Sequence, residues 1–597
     1  VNFNTIKQGW VLSDVHSPQL TIIRAAPRDD VRVTLPDASV YSAPVGTPIG
    51  DVLHAAGVAG NAQTGPVVGA IVENDLRELT FPIRKDSAAA SVTLADSDGG
   101  RIYRRSLVFV LVVAAHECFP DAKVAVENAL TVGGYYCRVT SRAPFTDAEL
   151  RTLRERMRAI IAEDAPILRQ QIPLPEAVAI FTARGDDDKL RLLENRTKDY
   201  LTIYRLHGYA DYFYGYMLPS AGMLTLFDLQ PAEADGFYLR YPRPEQPDRL
   251  QPIGPTPLVE RAFRQMDEWL RVIGVEDIGR LNRIIRDGKL RETILIAEAL
   301  HSRRIGEIAA QIAERHRRGA RLVLIAGPSS AGKTTFSKRL AIQLMAYGIQ
   351  PFTLAMDNYF VDRDLTPRDE AGNFDFEAVG ALDRERMSRD ILSLMANDPV
   401  QLPRFDFKLG RSTPGDFAHL SDEHVIIAEG IHGLNPELLP LIPPERVFRI
   451  AVSALTALNI DRNNRIPTTD VRLLRRMVRD NSGRGHSALA TLSRWSSVRR
   501  GEKKYIFPYQ ENADAMFNSS IVYELAVLKP FAEPLLLQIE RASPYSMEAK
   551  RLLAFVSWVQ PAPLDDVPGD SLLREFCGGS VLEDYTPGAL VRPSNVQ

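Results

Sequence analysis

Leu322-Val323-Leu324-Ile325-Ala326-Gly327-Pro328-Ser329-Ser330-Ala331-Gly332-Lys333-Thr334 decides the fold of this chain. Five apolar residues read as a buried strand, and the glycine-framed turn after them runs into a helix expected over Thr335 to Met345. This is the context in which G-x-x-x-x-G-K-[ST] has mechanical meaning. Glycines let the backbone curl so that its N–H groups face a polyphosphate, and the helix N-terminus adds a favourable dipole. Lys333 reaches for the outer phosphates and the Thr334 hydroxyl for Mg²⁺. The stretch therefore predicts a bound nucleoside triphosphate.

Composition narrows what surrounds this loop. A chain of 597 residues holds several domains, and three to five are expected. Its apolar and charged fractions, 45% and 25%, are those of globular protein in water. The longest apolar run, Leu107 to Ala115, is too short to span a membrane. The first residues lack the charged-then-apolar pattern of a signal peptide. Three cysteines, Cys118, Cys137 and Cys577, give neither a disulfide framework nor metal-ligand spacing. A reducing cytoplasm is the expectation. A net charge of −3 supplies no general attraction to nucleic acid.

Punctuation along the chain divides it. After an extension over 1–27, short alternating strands and one helix (Ile49 to Ala56) suggest a small α+β module over 28–96. That module carries more acids than bases, so its charge does not support a grip on RNA. Residues 97–235 mix helices, Ser106 to Cys118 and Asp147 to Glu163, with aromatic-rich strands. Prolines from Pro231 to Pro257 mark a linker. Apolar residues at helical spacing then give a helical region, which together with the linker spans 236–319. Strands alternate with helices over 320–540, the pattern of a doubly wound parallel sheet. A tail over 541–597 follows.

Three further parts turn triphosphate binding toward phosphoryl transfer. Asp357 follows a second apolar strand, where an open α/β sheet exposes ligand-facing groups. A carboxylate there accepts a proton from an attacking hydroxyl or serves Mg²⁺; a turn-capping aspartate is the competing reading. Glu429 closes the run Val425-Ile426-Ile427-Ala428, the Walker-B placement, with Gly430 allowing close packing. Twelve cationic residues lie between Arg462 and Lys504, with few acids among them. Arg472, Arg475, Arg476 and Arg479 share one helix face. A solvated face is the usual reading of such a run, and a lid over transferring phosphates is the sharper one.

These residues together resemble the uridine/cytidine kinase branch of the uridine kinase–phosphoribulokinase family. The P-loop, Asp357-Asn358-Tyr359-Phe360, Asn373-Phe374-Asp375-Phe376, Pro403-Arg404-Phe405-Asp406-Phe407, Ala428-Glu429-Gly430-Ile431-His432 and the Asp470-to-Asp480 helix stand in the family's order. The resemblance implies ATP and Mg²⁺ as cofactors. It makes Lys333, Asp357, Glu429, Arg476 and Arg479 catalytic, with Asp357 the general base. Gly327, Ser329, Ser330, Ala331, Gly332, Lys333, Thr334, Thr335 and Arg484 would hold the nucleotide. Thr334, Asp357 and Glu429 would serve the metal, and Asp357, Phe360, Asp375, Phe405, Phe407 and Arg472 would bind the acceptor. Three departures fall in the acceptor pocket. Phe405 replaces the usual tyrosine, Gly410 falls where a histidine contacts the pyrimidine, and Ala490 replaces a lid-side glutamine. Without those polar groups, uridine selectivity loses its basis.

The front half, 28–235, resembles the N-terminal half of threonyl-tRNA synthetase: a ubiquitin-like TGS module and the editing-type domain. The resemblance rests on Arg105-Ser106, Phe119-Pro120-Asp121-Ala122-Lys123-Val124, Gly133-Gly134-Tyr135-Tyr136 and Gly208-Tyr209-Ala210-Asp211-Tyr212-Phe213-Tyr214-Gly215. Its editing pairs would fall on Arg105 and Phe109, and on Phe213 and Met217, none of which activates water. His116 and His207 read as ordinary partly buried or surface residues. The tyrosine-rich stretch offers stacking surface for a base, but reads first as core or interface.

The whole is expected to be a multidomain α/β nucleoside kinase that phosphorylates a ribonucleoside 5′-hydroxyl. A modified nucleoside or sugar phosphate as acceptor, and a nucleotide-gated regulator bound to tRNA or the ribosome, are the alternatives. Kinases of this family often assemble as homo-oligomers; no membrane partner is expected.

Overall fold

The computed structural model describes residues 28–587 except 131, 233–234, 370–371, 407–408 and 456–457; the extension over 1–27 and Phe407 lie outside the described residues. Among the described residues no helix is long and apolar enough to cross a membrane.

The first module is a five-stranded mixed sheet with one helix, Ile49–Ala55. Its edge-to-edge order is Val40–Pro44, Asp30–Thr34, Ser87–Thr93, Val67–Val72, Asp75–Arg77, with only the Asp30–Thr34 and Ser87–Thr93 pair parallel. Alternating residues such as Val31 and Val33 face the helix residues Val52 and Leu53, as a half-buried strand requires.

The next domain is built on the helix Ser97–Cys118, which starts nine residues before the predicted Ser106. Gly99 and Gly100 hide that start, because glycine pairs read as a turn. Here they permit a close approach: a Cβ on Gly99 would lie 1.8 Å from the Thr93 carbonyl oxygen. A four-stranded antiparallel sheet and a three-stranded one flank the helix. The strand Phe237–Arg240 pairs with Gly134–Val139, so this sheet extends past residue 235. Asp147–Ala162 begins with a reciprocal capping box between Thr146 and Glu149.

The proline-rich stretch leads into three helices, Pro257–Ile273, Ile278–Arg286 and Leu290–Arg317. The last lays Ile305, Ile308 and Ile312 into the same core as Phe336, Leu340 and Leu344 of the P-loop helix. That helix runs Lys333–Ala346 and follows the strand Leu322–Ala326, which is buried along its whole length. The strand sits at the centre of an all-parallel sheet, in the order Gln350–Ala355, His424–Gly430, Leu322–Ala326, Val447–Ser453, Ala515–Asn518. Burial on both faces explains the continuous apolar runs seen in its sequence.

The described residues beyond 541 do not hang free. Phe555, Val556, Trp558, Leu572, Leu573 and Phe576 join the core that contains the P-loop helix.

The segment 459–467 of the kinase region binds the front domain. Val126 N–H donates to the Arg462 carbonyl at 2.7 Å, Asn463 to the Val124 carbonyl at 3.1 Å, and Asn464 to that of Tyr212 at 2.9 Å. Lys189, 1% exposed, lies 2.9 Å from Asp211 and 3.3 Å from Asp461. Tyr212 packs edge-on against Trp558 and Tyr214 N–H donates to Asn464, so the tyrosine-rich stretch is an interface.

Candidate active site

The parallel sheet brings the predicted phosphate groups to one edge. Leu322–Ala326 and His424–Gly430 are adjacent and in register, so Ile325 stands beside Glu429 and the P-loop leaves the sheet next to that carboxylate. Gln350–Ala355 lies on the other side of the Glu429 strand and releases Asp357 into the same cleft. Gly327 is fixed by packing: a Cβ there would lie 2.0 Å from the Val452 carbonyl oxygen. Gly332 is fixed by conformation, with φ of +79° at the start of the helix. Gly430 meets Met356, whose sulfur would lie 2.6 Å from an added Cβ.

Lys333 bends back onto its own loop, donating to the carbonyls of Gly327 at 2.9 Å and Pro328 at 3.3 Å. Burial lowers its pKa, opposed by Glu429 and Glu575. The Thr334 hydroxyl donates to Glu429 Oε1 at 3.0 Å, while Oε2 is buried without a partner. Burial raises the Glu429 pKa against the pull of Lys333 and Thr334. A hydroxyl beside a carboxylate with an unused oxygen, and a second carboxylate at Asp357 across the cleft, fit a hard divalent cation. Among the described residues no three His, Cys, Asp or Glu side chains form a protein-only cage. Mg²⁺ held by one or two carboxylates and substrate phosphates needs none. Asp357 is exposed in the cleft; desolvation there raises its pKa, and Lys333 acts in the opposite direction.

The arginines divide into two groups. Arg472 and Arg475 are buried and committed to distant acids. Arg472 forms a bidentate pair with Glu502, 2.8 Å on one arm, and donates to the Ser329 carbonyl at 3.0 Å. Glu502 in turn accepts from Ser329 N–H at 3.1 Å. Burial pushes the Glu502 carboxyl up, and Arg472 with Arg499 outweighs that to hold it low. Arg475 binds Glu524 at 2.6 Å. Arg472, expected at the sugar site, thus braces the P-loop from behind. Arg476 reaches the Ser329 hydroxyl at 2.8 Å. Arg479 and Arg484 share Asp480 with it, at 2.9 and 3.6 Å.

Among the residues expected to face the acceptor, Phe360 stacks obliquely on Phe405 at 5.6 Å and edge-on to Phe376 at 6.4 Å. Asp375 accepts from the Tyr505 hydroxyl at 2.7 Å. Gly410, with φ of +67°, lies under Arg363, whose Nε would be 2.8 Å from an added Cβ.

Two residues in this region were missed by sequence reasoning. His432 is 3% exposed, 5.7 Å from the Tyr505 ring, and its pKa is pushed down to about 4 by burial. Its motif was quoted, but a lone histidine after Glu429 carried no separate signal. Glu575 accepts from Thr335 N–H at 3.1 Å and from its hydroxyl at 2.9 Å, while Leu572 covers Gly332. No motif marks Glu575.

Two regions of the chain are similar to known proteins. Residues 322–525 match the phosphoribulokinase / uridine kinase family. The threonine–tRNA ligase of Desulforamulus reducens is 32% identical over 243 residues, 40% of this chain and 36% of that protein. That of Polaromonas naphthalenivorans is 31% identical over 202 residues, 33% of this chain and 31% of the other. The chain thus spans about a third of the length of these curated relatives. Among solved structures, D-glycerate 3-kinase from Cryptococcus neoformans is 14% identical with a TM-score of 0.20, covering 46% of this chain and 87% of that one. Residues 322–525 are a domain of the phosphoribulokinase/uridine kinase family, and the N-terminal region ahead of it is similar to threonine–tRNA ligases.

Proposed function

We propose that the chain is an ATP-dependent nucleoside kinase that transfers the γ-phosphate to the 5′-hydroxyl of a ribonucleoside. The observation that carries the reading is convergence: Lys333, Thr334, Asp357 and Glu429 line one cleft, and an aromatic wall stands beside it. In this reading the hydroxyl of the acceptor gives its proton to Asp357 as its oxygen bonds to the γ-phosphorus. The bond from that phosphorus to the bridging oxygen breaks, and ADP leaves. Lys333 unfolds from its loop carbonyls to meet the phosphates, and Arg476 stands over Ser329 for the same charge. Thr334 and Glu429 would hold Mg²⁺, which neutralises the developing phosphate charge when bound. The chain forms no covalent intermediate; positioning and charge carry the catalysis. Phe360 and Phe405 sandwich or edge the base, and Asp375 orders the ribose once Tyr505 yields it.

A second acceptor class rests on a specific observation. Arg363 stands over Gly410, at the mouth expected for a pyrimidine-contacting histidine. A cation there suits an acceptor that already carries negative charge, such as a sugar phosphate.

The test is a screen of ADP release from ATP and Mg²⁺ over ribonucleosides, modified nucleosides and sugar phosphates. Acceptor-dependent release lost in Asp357→Asn supports the kinase, and the best acceptor chooses between the two classes. No acceptor-dependent release, together with salt-sensitive tRNA binding, replaces it with the regulator.

A further inference from the structure

A cavity between the front domain and the kinase domain is lined by Arg101, Arg104, Arg105, Arg465 and Arg551, with Asn463 beside them. Two of these arginines are matched by acids. Arg101 pairs with Asp98 at 2.7 Å, and Arg551 pairs with Asp470 and, at 2.7 Å, with Glu548. The other three are not: among the described residues none has a carboxylate within ion-pair distance. Arg104 lies over the Tyr241 ring at 5.4 Å and Arg105 over Tyr214 at 5.6 Å. Arg105 otherwise donates to the Tyr216 carbonyl, and Arg465 to the Thr468 hydroxyl at 3.3 Å. Nε of Arg104 and Nε of Arg465 are buried with no hydrogen-bond partner.

Guanidinium groups stay protonated in proteins, so these three positive charges persist. Placing them together, partly desolvated, is unfavourable unless an anion offsets them. Burial holds the pKa of both Arg105 and Arg465 below its usual value, with only tyrosines opposing. Asp470, whose charge also reaches Arg104, is already bound bidentately by Arg551. The space is about 70 Å³, several times the roughly 10–15 Å³ that one water occupies on this measure. That is room for a tetrahedral oxyanion. The cavity also opens at the start of the helix Thr468–Arg484, whose dipole favours negative charge.

We propose that this cavity binds a phosphate group, supplied as inorganic phosphate or by a small phosphomonoester, through Arg104, Arg105 and Arg465. The site is separate from the P-loop and does not depend on the identity of the kinase acceptor. Its kinase-domain wall, Asn463 to Pro467, leads directly into the helix whose Arg472 and Arg476 hold Ser329.

The test titrates inorganic phosphate, and separately ribose 5-phosphate, into the full chain carrying Lys333→Ala, which weakens the P-loop's hold on phosphate, and assigns binding to the cavity by its loss in the arginine variants. Calorimetry is expected to show one saturable site whose affinity falls by about tenfold or more when Arg104→Gln and Arg465→Gln are added, as loss of charge-assisted hydrogen bonds demands. Equal binding of both ligands points to the free anion, and tighter binding of ribose 5-phosphate to a phosphomonoester; either supports the site. Arg465→Lys, which keeps the charge, is expected to retain most of the binding and controls for misfolding. Absence of saturable binding in the parent chain, or binding that the arginine changes leave untouched, would overturn the proposal.

Discussion

At the edge of the kinase sheet, four polar side chains converge where a phosphate would lie; Thr334 meets Glu429 at 3.0 Å and Lys333 waits on its own loop carbonyls. In the synthetase-like domain the four positions expected for an editing site hold Arg105, Phe109, Phe213 and Met217. Phe109 and Phe213 meet edge-on at 5.3 Å, and Met217 is 1% exposed. One region keeps buried polarity that packing alone would never select. In the other, packing fills three of the four positions, and the fourth, Arg105, lines the arginine cavity. The difference teaches that a fold and its chemistry are retained separately: a domain can keep its core while its reactive groups are replaced by core.

Substitutions in the two regions should have different effects. Asp357→Asn should lower kcat by about 10²–10⁴-fold, the range for a general base, while the thermal midpoint stays put; steady-state kinetics beside a melting curve checks both. Phe109→Ala should do the reverse. A buried ring lost from the front core costs about 3–5 kcal/mol of stability, read by denaturant titration, with kcat per folded molecule preserved. If Phe109→Ala instead removes turnover without loss of stability, the front domain is part of the chemistry. The junction between the regions has its own test. Lys189→Met would leave Asp211 and Asp461 buried without their cation and should destabilise by about 3–5 kcal/mol. The same melting curve should split into two transitions as the halves uncouple.

Smaller effects sharpen the kinase side. Glu575 holds the N–H and hydroxyl of Thr335, groups that a P-loop otherwise offers to phosphate. Glu575→Gln should therefore lower KM for ATP by about 3–10-fold, the net scale of one ordinary hydrogen bond, with kcat unchanged. An unchanged or higher KM would make Glu575 a support of the loop and not a competitor. The smallest effect is in pH. Asp357 must be ionised to accept a proton, and desolvation raises its pKa. Activity should accordingly fall, as pH drops, above the ordinary aspartate value of 3.8. A kcat/KM profile flat down to that value would contradict the assignment.

Much of the kinase domain could be read in advance because its signals are local. The apolar strand, the glycines and Lys333 lie within a dozen residues, and the observed strand and helix start within two residues of expectation. Asp357 and Glu429 follow apolar runs that parallel sheets produce. The arginine helix was half legible. Spacing put Arg472, Arg475 and Arg476 on one face, but Glu502 and Glu524, which bind the first two, lie 30 and 49 residues away. Nothing local announces such pairs, so a braced core resembled an unpaired lid. Glu575 was illegible for the same reason. Its segment reads in sequence as a tail, yet the structure buries Leu572, Leu573 and Phe576 in the core that holds the P-loop helix. In the front domain, Gly99 and Gly100 read as a break because sequence does not show the Thr93 backbone that excludes a side chain there.

The central claim is that the P-loop domain moves phosphate onto a hydroxyl acceptor. The most direct measurement follows the label of γ-labelled ATP in one reaction of the full chain with Mg²⁺ and its best acceptor, beside a parallel reaction of Lys333→Ala. The account predicts label on the acceptor at a rate that collapses in Lys333→Ala, with little released as free phosphate. Label that appears only as free phosphate whatever acceptor is supplied, or transfer that survives Lys333→Ala, would contradict it.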